Sequence, residues 1–121
     1  MQNLVSKKEE EERRLKALAE YRILGTKPES CYDDITKIAA TTCNVPISLM
    51  TLVDKDKQWF KSKIGLQISE TRRDWSFCTH AIKENSPLII HDAFQDERFI
   101  NNPLVTGDPK IRFYAGFPLR N

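Results

Sequence analysis

The chain has 121 residues, 40% of them hydrophobic and 30% charged, enough for one domain with its own core and too few for two. Its 19 Lys and Arg against 17 Asp and Glu leave a formal charge of +2, which excludes a general polyanion binder and removes nucleic acid from the expected partners. The uncharged run Ile38–Val53, at 16 residues, is too short and too polar to span a bilayer, and the charged start offers no export signal, so a soluble, cytoplasmic chain without a membrane segment is expected.

Lys7–Arg14 is eight charges in a row, with Glu9 and Arg13, Glu10 and Arg14, and Glu12 and Lys16 spaced four apart with the acid first, the order that favours a helix. Leu15, Leu18 and Ala19 add a narrow apolar stripe, which predicts a helix from about Lys8 to Arg22 that ends at Gly25. Thr26 and Glu29 have the Thr-x-x-Glu spacing of a capping box, so a second helix should start there. Cys31, Ile35, Ile38, Ala39 and Thr42 then mark one helical face, expected to cover a sheet, until Asn44 and Pro46 stop it.

Ile47–Val53, the polar turn Asp54–Lys57 and Gln58–Ile64 read as a β-hairpin. Its second strand places Phe60, Ser62 and Ile64 on one face and Trp59, Lys61 and Lys63 on the other. Lys55–Arg73 holds six basic and two acidic residues; the lysines are read as exposed groups that keep an edge strand from aggregating, more than as an anion site. Ser76–Glu84 predicts a short helix capped by Asp74 or Ser76, and Leu88–His91 a third strand. Asp92–Lys110 is a long loop with one helical turn at Asp96–Ile100, and Ile111–Leu119 reads as a fourth strand.

Cys31, Cys43 and Cys78 fit neither a disulfide framework nor a zinc spacing, and each is expected as a small buried hydrophobe. Together with His80 and His91 they offer no ligand spacing, so no metal is expected. The four glycines form no phosphate-cradling loop and no nucleophile turn.

Five ordered segments carry a resemblance: Tyr21-Arg22-Ile23-Leu24-Gly25-Thr26-Lys27-Pro28-Glu29, Val45-Pro46-Ile47-Ser48-Leu49, Asp56-Lys57-Gln58-Trp59-Phe60-Lys61, Ser76-Phe77-Cys78-Thr79-His80-Ala81-Ile82, and Arg98-Phe99-Ile100-Asn101-Asn102-Pro103-Leu104-Val105. From about Arg14 to Leu119 the chain resembles the GAF domain, in particular the bacterial N-terminal sensory type found before diguanylate cyclase or histidine kinase modules. The resemblance implies an α+β fold: an antiparallel sheet with helices packed on one face and a loop-covered pocket on the other. Residues 1–14 would be a charged helical extension and 15–121 the GAF-like domain. In the family the sheet continues after a segment like Phe113–Leu119 with two strands and a helix, so the resemblance implies an open sheet edge here and self-association through it.

The expected pocket is lined by Trp59, Phe77, Cys78, His80, Asp92, Phe99 and Tyr114, aromatic walls with a few polar groups. Each has a plainer reading: Phe77 and Phe99 as core, Trp59 as a cover for the sheet, Asp92 as a cap for the loop after the third strand. His91 reads as solvent-facing. Cys78 and His80 stand two apart on a helix and point about 200° apart, a poor thiolate-imidazole couple. Phytochrome-like members attach a bilin through a Cys followed directly by His; Thr79 intervenes here, so covalent bilin is not expected. The dispersed Asn-Lys-Phe-Asp-Glu signature of cyclic-nucleotide-binding members is echoed only by Asp96-Glu97. The expected function is that of a non-catalytic sensor in bacterial signal transduction, including two-component systems. It would bind a small molecule or sense redox state, dimerise through terminal helices and relay to an output kinase or cyclase. The alternatives are a ligand-free dimerisation module and a cysteine-dependent redox enzyme, such as the three-cysteine methionine sulfoxide reductase branch.

Overall fold

The charged run forms the helix that its spacing predicts, but over a different span. In the computed structural model, which describes residues 2–120, α1 covers Gln2–Glu20, so it starts before Lys8 and stops short of Arg22. Arg22 has φ 51°, a left-handed value that a right-handed helix does not continue through. Arg14 pairs with Glu11, donating from Nε at 2.9 Å and Nη2 at 2.8 Å, and its Nη1 donates to the Val53 carbonyl at 2.5 Å.

α2 spans Ser30–Cys43, and two expectations about it are corrected. Glu29 is its N-cap, without a side-chain cap bond. Thr26 instead donates from Oγ1 to the Ile23 carbonyl, so the capping box does not form. The face built from Cys31, Ile35, Ile38, Ala39 and Thr42 is exposed, Ile38 at 64%, while Thr36 is buried. Polar chemistry decides this orientation. Thr36 Oγ1 and Ser62 Oγ share a hydrogen bond of 2.7 Å, and Ser62 Oγ donates to Asp33 Oδ1 at 2.5 Å. Cys31 and Cys43 are accordingly exposed thiols rather than buried hydrophobes. As expected, Asn44 ends the helix, in a left-handed conformation with φ 51°.

The hairpin forms as β1 (Ser48–Val53) and β2 (Lys57–Ile64), followed by β3 (Glu70–Arg72) in the order β1-β2-β3. The short connection between β1 and β2 makes them antiparallel. β2 is therefore central, which corrects the reading of its lysines as edge protection. Lys61 is buried along with Gln58, Phe60 and Ser62. At Gly65, φ 87° and a carbonyl of Pro46 that would lie 2.1 Å from any Cβ both require glycine.

The chain forms two compact units. One runs to Lys55 and takes in Trp59–Glu70; the other takes in Asp56–Gln58 and resumes at Thr71. In the second unit α3 (Cys78–Ala81) is followed by β4 (Leu88–Ile90), α4 (Pro103–Thr106) and β5 (Tyr114–Gly116). β4 and β5 pair antiparallel with Leu88 opposite Gly116, Ile89 opposite Ala115 and Ile90 opposite Tyr114. The strands thus fall into a three-stranded and a two-stranded sheet rather than one, within an α+β fold of antiparallel sheets.

The expected loop Asp92–Lys110 is more ordered than its lack of period suggests, because three short polar side chains cap successive turns. Asp92, Asp96 and Asn102 accept from the amides of Phe94, Arg98 and Leu104 at 3.0, 2.9 and 2.8 Å. The turn at Asp96–Ile100 closes through the Ile100 amide on the Asp96 carbonyl at 2.9 Å. The loop buries Ala93, Phe99, Leu104 and Val105, which with Phe77 and Ile90 form the core of this unit. It also shortens the fourth strand. The Ile111 amide donates to Leu104 and the Arg112 carbonyl accepts from Ala93, so that backbone serves the loop instead of a ladder. Among the described residues, no helix is long and apolar enough to cross a membrane.

Candidate functional site

Five of the seven expected pocket residues meet in the second unit. Phe77 stacks on Phe99 with ring centroids 4.2 Å apart and planes 11° from parallel. Tyr114 tilts against Phe77 at 5.1 Å, and His80 stands edge-on to Phe99 at 5.0 Å. The Tyr114 hydroxyl donates to Cys78 Sγ at 3.3 Å. Phe77 and Phe99 are 3% and 1% exposed. Their rings fill the centre of the cluster, so they answer to the plainer reading as core, and the accessible chemistry sits at its rim on the half-buried Cys78, His80 and Tyr114.

The other two residues are placed differently. Trp59 is half-buried on β2 and belongs to the first unit. Asp92 is exposed and its carboxylate is occupied by the Phe94 amide, the capping role that was its alternative reading. His91 is exposed, tilted 6.4 Å from Phe113.

A buried polar chain holds α3, and sequence reasoning missed most of it. Gln58 donates from Nε2 to Thr71 Oγ1 at 2.6 Å and accepts at Oε1 from Ser76 Oγ at 2.7 Å. Ser76 Oγ in turn accepts from the Thr79 amide at 3.2 Å, so it serves the first turn of the short helix, while the N-cap position itself falls on Phe77 rather than on Asp74 or Ser76. Thr79 Oγ1 donates to the Arg73 carbonyl at 3.2 Å. Asn102 donates from Nδ2 to the Trp75 carbonyl at 2.9 Å. Cys78 and His80 are thus carried on a four-residue helix whose N-terminal approach is fixed by satisfied polar groups, the condition for a precise rim. The sequence signal was available: Gln58 and Ser76 each stand within a segment that carries the family resemblance.

Burial lowers the His80 pKa from its ordinary 6.5, helped by the positive charges of Lys83 and Arg98 and opposed by Asp96. Burial also pushes the Tyr114 phenol well above its ordinary value, with Cys78 adding to the effect. Asp96 is held low by its hydrogen bonds from Arg98, whose Nε and Nη2 donate at 3.0 and 2.8 Å. The rim is therefore an edge of thiol, phenol and imidazole groups with one ion pair beside it. Among the described residues, no three His, Cys, Asp or Glu side chains gather as a metal ion requires.

The α+β architecture and the aromatic cluster under a capped loop define the class, and comparison with known proteins agrees with it. The model of the GAF domain family matches residues 27–121, and the chain belongs to that family, whose members are sensory and regulatory domains of signalling proteins. A cyclic di-GMP phosphodiesterase of Pseudomonas aeruginosa is 38% identical to it over 111 residues, covering 92% of this chain. The chain spans 19% of that protein's length.

Proposed function

We propose that this GAF domain is a non-catalytic sensor that reads a small molecule or the redox state at the rim formed by Cys78, His80 and Tyr114 over the stacked rings of Phe77 and Phe99. The change passes through terminal helices, which also pair two copies, to an output kinase, cyclase or cyclic di-GMP enzyme in the bacterial cytoplasm. The observation that carries this reading is the Cys78 thiol held at 3.3 Å by the Tyr114 hydroxyl on the rim of a stacked aromatic cluster. Any ligand or oxidant that takes this thiol must break that bond and disturb the rings behind it. Similarity to a cyclic di-GMP phosphodiesterase supports the place in cyclic di-GMP signalling.

The test combines native mass spectrometry for a retained small molecule with near-ultraviolet circular dichroism during titration with hydrogen peroxide. A retained ligand lost in Tyr114→Phe, or an oxidation-linked change of the aromatic signal lost in Cys78→Ser, is the expected outcome. A wild-type chain that carries no ligand, and in which oxidation at Cys31 and Cys43 leaves the aromatic signal untouched while Cys78 stays reduced, would refute the reading.

A further inference from the structure

We infer that Lys61 is a latch, through which β2 holds the connection between α1 and α2 so that this segment opens as a unit while the sheet and both helices stay folded. The Lys61 side chain has no exposed surface. Its ammonium donates to Thr26 Oγ1 at 2.7 Å, the Lys27 carbonyl at 2.6 Å and Glu29 Oε2 at 2.7 Å. Three N–H groups thus meet three oxygens, all within four residues of the connection, and the Tyr32 ring lies 5.4 Å away. A buried ammonium is tolerated only with such partners, so the segment and the cation hold each other in place.

The connection has little else to keep it ordered. Residues 21–29 contain no helix or strand, and Arg22 and Gly25 both take left-handed backbone conformations. Gly25–Glu29 are exposed; the backbone bonds at the two ends of the connection run to the helices, from the Tyr21 and Arg22 amides to the Leu18 and Ala19 carbonyls and from the Tyr32 and Asp33 amides to the Glu29 carbonyl, and between them Thr26 donates twice to the Ile23 carbonyl. The Glu29 carboxylate, at the position where a capping side chain would serve α2, is used on Lys61 instead.

The flanking helices have their own tethers. The next residue on β2, Ser62, holds α2 through Asp33 and Thr36, and α1 is held by Arg14 on the Val53 carbonyl. Release of Lys61 therefore frees the connection between two helices that stay attached, which is the geometry of a hinge. This latch is independent of whether the Phe77 cluster binds anything.

Hydrogen exchange followed by mass spectrometry on the whole chain, with Lys61→Met beside the wild type, tests it. Amides of residues 23–30 are expected to exchange on the order of tenfold faster or more, with a new tryptic cut after Arg22, while β1, β2 and α2 keep their protection. Unchanged protection at 23–30, or loosening of β1, β2 and α2 to the same degree, overturns the latch. If Lys61→Met does not fold, Glu29→Gln leaves the lysine in place and removes one charged partner. It is expected to give the same localised opening, and wild-type protection of 23–30 in that variant equally overturns the proposal.

Discussion

At Gly116 the lack of a side chain lets Tyr114 lie back across its own strand, because a Cβ there would stand 2.2 Å from the Tyr114 hydroxyl and 2.7 Å from its ring. Gly116→Ala must turn the ring away, which breaks the bond to Cys78 and opens the packing on Phe77. We expect a loss of about 1–3 kcal/mol and faster alkylation of Cys78 by iodoacetamide. An alanine variant with wild-type stability and thiol reactivity would show that the ring shifts without consequence. His80 gives a second residue-scale outcome. Its native pKa lies below 6.5, so the unfolded chain takes up the proton first as pH falls. The stabilisation is complete above that value and is lost as pH drops through it towards the native pKa. Melting temperature should therefore decline between about pH 7 and pH 5, and the decline should be smaller in His80→Gln. Asp96, whose pKa is lowered from 3.8, acts below this window.

Helix α2 separates two kinds of information in a sequence. Its existence and its stop at Asn44 were readable from period and turn chemistry. Its orientation was not, since the apolar positions Ile35 and Ile38 face outward while the helix turns Thr36 towards Ser62. A count of apolar side chains cannot register a hydroxyl whose partner lies 26 residues away. Lys61 misled for the same reason, because alternation along a strand says nothing about a cation fully matched by another segment. Ile38→Glu should accordingly change the urea midpoint little, by less than about 0.5 kcal/mol, whereas Thr36→Val should cost about 1 kcal/mol. The reverse ranking would restore the face that periodicity suggests. The core of the second unit was legible where aromatic residues marked it, at Phe77 and Phe99. Leu104 and Val105 were hidden in a stretch without period, ordered by Asn102 and its neighbours.

For the whole chain, the resemblance identified the family and the class of fold, while the division into two units had no sequence signal. That division runs through a strand, since Lys57 and Gln58 go with one unit and Trp59 to Ile64 with the other. Gln58 in turn joins Thr71 to Ser76 by its side-chain amide. The two units are thus interlaced along the chain, and a single cut after Glu70 leaves the first unit whole but takes Asp56–Gln58 from the second. A fragment that begins at Thr71 keeps the Phe77 and Phe99 stack but loses the glutamine that Ser76 and Thr71 bond. We expect such a fragment to be poorly ordered alone and to gain helicity and aromatic dichroism when mixed with a peptide of residues 1–70. If the fragment folds fully by itself, Gln58 is dispensable. Fragment complementation is the property that this crossing strand confers: a backbone opened between Glu70 and Thr71 leaves a first piece that still holds the strand segment the second piece needs.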